Sequence, residues 1–509
     1  MAKPAIAPAA PNRRALILPG GGMRVSYQAG IVSALHQAGL RYSYADGASG
    51  GTMNLAALLS GITPDDLCRR WRTLDPMGFV SLRPLPAYLK FPRSGALGDF
   101  DGIERHVFPH LGIDLAAVNA AEGVAATFNV CNFADKVVEA VPHRELVAEL
   151  LLAGISLPLA TPAVRYRGVW WSDAVWIRDS NLLAAVRAGA NELWVAWCIG
   201  NTPDFKPGLL EQYVHMIEMA AIGRFNDELA AIAELNTRIA AGERPYGHDT
   251  AIVVHVIAPE TPLPLDPDYL AGKVDAQTLI SWGWRDARRY LAAMTAGGTP
   301  LTPAATKMRE PGRSVAFRET MRGRITLGES DPARGYRSPA GLPVALHGAI
   351  AIDSLEDFRV DPDHRGILAG HIECHRLGGW LPGASGRFGL FSRSPDPALA
   401  TMVYAMQIVI DGRVHWFNGR KHVRMAGPWK LWAATTTLYV TLHDGPDAAA
   451  PVVGAGILRL GPSALIDLLG TMQATGASGL WDRLKLYGGF MRFFVGELIR
   501  IYLLRRPAR

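Results

Sequence analysis

Residues 47–51 read Gly-Ala-Ser-Gly-Gly and satisfy the pattern G-x-S-x-G. That pattern puts a serine on a strand-to-helix turn so sharp that its hydroxyl stands clear of the sheet, able to attack a carbonyl carbon. Glycines on either side keep side chains from colliding with the strand and the helix. The pentapeptide alone is a weak signal in a chain with 53 glycines, and it gains weight from lying between a predicted strand and a predicted helix. Ser49 is therefore the candidate nucleophile, with Gly47 and Gly51 shaping its turn.

A second glycine run, Gly20-Gly21-Gly22, ends a short apolar segment and leads into a predicted helix. Ester hydrolysis needs donors aimed at the oxyanion of the tetrahedral intermediate, each worth about 3–4 kcal/mol. Unobstructed N–H groups at the positive end of a helix supply them. Arg24, one turn into that helix, is placed to hold the loop or to favour negative charge. A nucleotide-phosphate cradle is the alternative, but neither G-x-G-x-x-G nor G-x-x-x-x-G-K-[ST] is present, since position 25 is valine and no lysine follows. A nucleophilic serine also needs a base. None of the 14 histidines stands in a telling setting, and a serine after a single strand fits the α/β-hydrolase order poorly. Asp173, closing Trp170-Trp171-Ser172-Asp173 ahead of a predicted helix, is the better candidate. Partial burial beside the two tryptophans would raise its pKa toward the working pH.

The elements that must hold these groups alternate. A short buried strand within 14–24, ending in the three glycines, is followed by helical spacing through Tyr27, Ile31, Leu35 and Leu40, then at 41–54 by a strand and a glycine turn and by a helix through Leu55–Leu59. Strands at 123–131, 192–199 and 250–257 and helices at 144–155, 182–190, 209–241 and 276–291 continue the pattern of an α/β sheet covered by helices on both faces. A Gly-, Pro- and Thr-rich stretch at 296–312 reads as a linker. Beyond it, alternating segments at 345–352, 366–374, 401–410, 413–417, 435–442 and 452–460, punctuated by Asp411-Gly412 and Asp444-Gly445, predict an antiparallel barrel or sandwich. The expected organisation is an arm at 1–13, a catalytic domain at 14–295, the linker, and a β-rich accessory domain at 313–509 ending in an amphipathic helix.

Four blocks in order make residues 14–295 resemble the patatin-like phospholipases. Leu18-Pro19-Gly20-Gly21-Gly22-Met23-Arg24 resembles the family's oxyanion loop, and Asp46-Gly47-Ala48-Ser49-Gly50-Gly51 its nucleophile elbow. Ser156-Leu157-Pro158 through Val164 is similar to the segment ahead of the acid, and Asp173 stands where the family's Asp-Gly-Gly begins, with Gly189-Ala190 downstream. The resemblance implies a patatin-like α/β sheet and a Ser49–Asp173 dyad cleaving fatty acyl esters without metal or cofactor. The N–H groups of Gly20, Gly21, Gly22 and Met23 would then form the oxyanion hole. Two departures, Val25 and Ala174 in place of family glycines, require an ordinary φ at both positions. A catalytically silent lipid binder and an acyltransferase using the same dyad are the alternatives. The accessory region more weakly resembles an extra domain of bacterial cholesterol-oxidase-like GMC proteins, in Phe317–Gly323, Leu377–Trp380 and Thr435–His443. No Rossmann fingerprint accompanies it, so no FAD is implied.

Composition fits this reading. The chain of 509 residues is 49% hydrophobic and 19% charged, which excludes disordered and collagen-like classes. Cys68, Cys131, Cys198 and Cys374 lie far apart, encoding neither a disulfide framework nor a zinc site. The proline-broken N-terminus makes a poor signal peptide, and no window has the roughly 18 apolar residues of a membrane span. The net charge of +6 is concentrated at 480–509, where Arg483, Lys485, Arg492, Arg500, Arg505, Arg506 and Arg509 outnumber Asp482 and Glu497 among aromatic residues. That composition suits peripheral contact with anionic lipid, whereas the base rate for amphipathic helices favours an apolar stripe closing its own domain. No basic stripe with stacking aromatics occurs elsewhere, so no nucleic-acid partner is expected. The expected setting is cytoplasmic, at most peripheral on the inner membrane surface.

Overall fold

The apolar run Arg14–Leu18 forms β1, an interior strand of the first sheet, with Leu16, Ile17 and Leu18 buried. The structure is a computed structural model describing residues 13–504, apart from 82, 84, 90–95, 395, 397–398, 425–428, 430 and 478. The expected N-terminal arm, all but Arg13, and the final arginines Arg505, Arg506 and Arg509 lie outside the described residues. The chain divides into two units, one running to Leu270 and resuming over Asp286–Arg309, the other comprising Ala271–Arg285 and Glu310–Arg509. Residues 296–309, expected as a linker, lie in the first unit, where Thr299 N–H donates to the Val254 carbonyl at 2.8 Å and Met308 N–H to that of Asn201 at 2.9 Å.

The first unit is a mixed α/β sheet packed with helices. Its strands are β1, β2 (Tyr44–Ala48), β3 (Ala125–Asn132), β4 (Val137–Pro142), β5 (Val164–Tyr166), β6 (Val169–Asp173), β7 (Glu192–Ala196) and β8 (Val253–Ile257), in the order β5-β6-β3-β2-β1-β7-β8, with β4 also on β3. The core β3-β2-β1-β7-β8 is parallel, and β6 joins antiparallel to β3. The order reverses at β1, because the chain goes from β1 to β2 on one side and later places β7 on the other. In open α/β sheets ligands bind outside the carboxyl ends of strands at such a reversal. Leu18 of β1 lies opposite Gly47 of β2, so the triple glycine and the serine turn leave the sheet side by side.

The second unit resolves barrel against sandwich. Strands β9 (Ser314–Leu327), β10 (Leu342–Ala351), β11 (Arg365–Cys374), β12 (Gly379–Pro382), β13 (Ala384–Arg393), β14 (Leu399–Ile410), β15 (Arg413–Arg424), β16 (Thr437–His443), β17 (Val452–Arg459) and β18 (Gln473–Thr475) form one antiparallel sheet. The long β9 pairs with β10 over Ala316–Ile325 and with β17 over Arg322–Leu327, closing eight of these strands into a barrel. Alternate residues point inward, so Phe317, Met321, Leu346, Leu368, Met406 and Leu438 share one core. The terminal helix Leu480–Tyr502 adds Leu486, Phe490, Ile501 and Tyr502 to it, so its apolar stripe closes its own unit. Among the described residues, no helix is long and apolar enough to cross a membrane.

Candidate active site

Ser49 follows β2 at φ +48°, a conformation that L-residues avoid, and precedes the helix Gly51–Leu59. The strain is held from both ends. Asn129 Nδ2 donates to the Gly47 carbonyl at 3.1 Å, and the Ser49 carbonyl accepts from Thr52 N–H at 3.0 Å and Thr52 Oγ1 at 2.6 Å. Gly51 is required by close approach, since a Cβ there would lie 2.1 Å from the Leu18 carbonyl oxygen. The turn therefore presses onto the end of β1, where the glycine loop begins.

That loop lies directly against the serine. A Cβ on Gly20 would stand 2.5 Å from Ser49 Cβ and 3.0 Å from Ser49 Oγ. A buried polar network fixes the loop from behind. Gln28 Nε2 donates to the Pro19 carbonyl at 2.6 Å, Asn54 Nδ2 to Gln28 Oε1 at 3.1 Å, and Trp71 Nε1 to Asn54 Oδ1 at 2.7 Å. Arg24 is buried and donates through Nε to the Gly21 carbonyl at 3.0 Å. Val25 has φ −64° and ψ −10°, ordinary helical values, and Ala174 opens a 3₁₀ turn, so both departures from glycine are accommodated.

Asp173 ends β6, fully buried. Its Oδ1 accepts Val175 N–H at 2.9 Å, while Oδ2 is buried without a fully formed hydrogen bond. Burial pushes the carboxyl up to about 7, opposed first by the Ser49 side chain at hydrogen-bonding range and then by the Val175 N–H. The two groups are neighbours with the bond between them not closed, as is common in catalytic pairs without substrate. Trp171 beside it is buried, but Trp170 is half exposed, so the apolar surroundings come from the sheet interior more than from both tryptophans.

Two further carboxyls occupy the site. Asp179 accepts Gly20 N–H at 2.8 Å through Oδ2, and burial, then the charge of Asp173, drives its carboxyl well above the ordinary range. Asp266 accepts Met23 N–H at 3.0 Å, and a Cβ on Gly22 would come within 2.3 Å of its other oxygen. Burial raises Asp266, and Arg24 and the Met23 N–H counter it. Of the four N–H groups expected to bind an oxyanion, those of Gly20 and Met23 are thus engaged by carboxylates. Gly21 and Gly22 supply the loop's other two. Asp46, buried under the turn, accepts from Thr127 Oγ1 at 2.6 Å and Asn129 Nδ2 at 2.7 Å, and burial lifts it to about 7.

Asp179 and Asp266 escape sequence reasoning. Asp179 could be suspected from Asp-Ser-Asn ahead of the helix Leu182–Arg187, a capping composition six residues past Asp173. Nothing in Leu263-Pro-Leu-Asp-Pro-Asp marks Asp266, which reaches the loop by tertiary folding alone. Among the described residues, no group of three or more His, Cys, Asp or Glu is arranged to hold a metal ion.

Comparison with known proteins adds a family match. Residues 16–186 match the family model described as patatin-like phospholipase, a span that includes Ser49, Asp173 and Asp179. No curated protein matches the chain. Among solved structures, VipD from Legionella pneumophila is similar at 10% identity and a TM-score of 0.30, over 56% of this chain and 67% of that one, too remote to carry an argument. Residues 16–186 are a patatin-like phospholipase domain within a longer chain.

Proposed function

We propose that the first unit is a serine lipid acyl hydrolase working through Ser49 and Asp173. The observation that carries the reading is the adjacency of a serine strained to φ +48° and a buried carboxyl poised at about 7. A base whose pKa lies near the working pH combines a useful ionised fraction with real affinity for a proton. Asp173 takes the Ser49 hydroxyl proton as Oγ attacks the ester carbonyl. The N–H groups of Gly21 and Gly22 receive the oxyanion, joined by that of Met23 once Asp266 withdraws. Collapse expels the alcohol, which leaves with the proton from Asp173, and an acyl group remains on Ser49. Water, giving its proton to Asp173, then releases the fatty acid and restores the hydroxyl.

Lipid access fits the surface near the site. The helix Leu209–Ala240 buries one face from Ala221 onward through Phe225, Leu229, Ile232 and Leu235, whereas Leu209, Leu210, Met216 and Met219 near its start are exposed. Tyr213 on the same stretch donates to the Pro158 carbonyl at 2.6 Å, in the segment that leads to Asp173. An apolar, weakly anchored stretch of this kind serves as a lid that opens at a lipid surface. In the second unit, Leu484, Val495 and Ile499 on the terminal helix are exposed beside its basic residues, which suits peripheral contact with anionic lipid.

The test is fatty-acid release from phospholipid vesicles and from a soluble short-chain ester by the full chain and by Ser49→Ala. Release by the first and none by the second supports the proposal. Release by both, or by neither in a folded protein, overturns it. Adding a long-chain alcohol distinguishes hydrolysis from acyl transfer, because transfer yields a new ester in place of acid.

A further inference from the structure

Inside the barrel of the second unit, three polar side chains interrupt an apolar interior. Lys421 Nζ, on β15, donates to Glu319 Oε2 of β9 at 3.3 Å and to the Tyr404 hydroxyl of β14 at 3.1 Å. Lys421, Glu319 and Tyr404 are 3%, 4% and 3% exposed. Glu319 Oε1 is buried without a fully formed hydrogen bond, the Tyr404 hydroxyl lying near the carboxylate. An ion pair in such a place is poorly explained by stability, since apolar side chains of similar volume commonly do as well or better there. A carboxylate oxygen left short of a complete hydrogen bond makes the arrangement costlier still.

The same three groups line a cavity of about 440 Å³, within the range of small-molecule sites. Apart from Thr435 and Thr436 its remaining walls are apolar, with Phe317, Phe388, Leu390 and Met402 from the strands and Phe490 and Phe494 from the terminal helix. Trp429 and Trp432 also line it and are 80% and 51% exposed, so the cavity reaches the surface past two tryptophans. An eight-stranded barrel can be filled by its own side chains or can hold one small ligand, and this one leaves space at one end.

We propose that this cavity binds one neutral, long-chain lipid through its hydroxyl group, with Glu319 Oε1 as acceptor and Lys421 as donor. A hydroxyl can give a hydrogen bond to the first and take one from the second, satisfying both. The Lys421–Glu319 pair sums to zero charge, so a fatty carboxylate would bring an uncompensated negative charge against Glu319 in a low-dielectric site. A cation would meet Lys421 in the same way. The apolar walls take the chain, and the tryptophans at the mouth suit entry from a lipid interface. The site belongs wholly to the second unit and does not depend on the chemistry assigned to Ser49.

Equilibrium binding of dodecanol, dodecane and dodecanoate to the full-length protein tests it, the probes having no ester to hydrolyse. Dodecanol should bind once per chain and about tenfold more tightly than either of the others, the value of one well-placed hydrogen bond near the upper end of its range. The double variant Glu319→Leu/Lys421→Met keeps an apolar cavity and should bind dodecane as well as dodecanol. Met402→Trp, which fills the cavity, should abolish binding of both. No dodecanol binding by the wild type, tighter binding of dodecanoate than of dodecanol, or binding untouched by Met402→Trp overturns the proposal. The wild-type preference alone decides the matter should the double variant fail to fold.

Discussion

Gly20 donates its N–H to Asp179 at 2.8 Å while its α-carbon faces Ser49, so closely that a Cβ would lie 2.5 Å from the serine's own Cβ. One glycine thereby ties the acid-rich floor of the site to the nucleophile. Replacing it by alanine forces either the serine turn or the glycine loop to move. A displacement of about 1 Å costs on the order of 10²-fold in rate. Gly20→Ala should therefore lower kcat by about 10²-fold while leaving the protein folded, as read by steady-state kinetics beside circular dichroism. Wild-type turnover in that variant would show that the loop and the serine are less tightly coupled.

The carboxyl of Asp173, at about 7, sets the pH dependence of both rate and stability. Activity requires the carboxylate, so kcat/KM should rise roughly tenfold per pH unit below about 7 and level off above it. Stability moves the opposite way. Between the ordinary value of 3.8 and about 7 the folded protein holds a proton that the unfolded chain has released, so stability falls as pH rises through that window. Asp46, lifted by burial to about 7, steepens the same fall. Asp173→Asn should abolish turnover and make the fall in stability shallower, leaving the part due to Asp46. A rate profile with its acid limb near 4, measured alongside denaturant unfolding at each pH, would contradict this assignment.

Asp266 holds the Met23 N–H that an oxyanion would need. Removing the carboxyl frees that donor without touching Ser49 or Asp173. Because a hydrogen bond to a charged group is worth about 1.5–3 kcal/mol, Asp266→Ala should raise kcat/KM on a soluble ester by about 10- to 10²-fold. A fall in kcat/KM with the fold intact would show that Asp266 braces the loop in its working shape.

The exposed stretch from Leu209 to Met219 predicts a dependence on lipid surfaces. Activity should rise steeply once the substrate forms micelles or vesicles, not in proportion to its concentration. Replacing Leu209, Met216 and Met219 together by serine should remove that step and leave hydrolysis of a monomeric ester unchanged. A strictly linear response through the micellar transition in the wild type would exclude a lid there.

Much of this architecture could be read from local signals. The glycines around Ser49 and at 20–22 announce close backbone approach, and Val25 and Ala174 announce ordinary φ values, because both are short-range steric demands. The first barrel strand, Ser314–Leu327, is masked in the sequence, since Arg318, Glu319, Arg322 and Arg324 break its apolar alternation and the charged Glu319 is buried. Its pairing with both β10 and β17 is long-range, and local patterning says nothing of closure. Asp179 and Asp266 were illegible for the same reason: their importance lies in whose N–H they meet, and those partners are 159 and 243 residues away.

The central claim is that Ser49 is a nucleophile activated by Asp173. The most direct measurement is the site and rate of labelling by a fluorophosphonate, with the adduct mapped by peptide mass spectrometry. The account predicts a single adduct on Ser49, absent from Ser49→Ala, slowed by at least about 10²-fold in Asp173→Asn and accelerating as pH rises through 7. An adduct on another residue, or labelling of Ser49 at an unchanged rate when Asp173 is replaced, would contradict it.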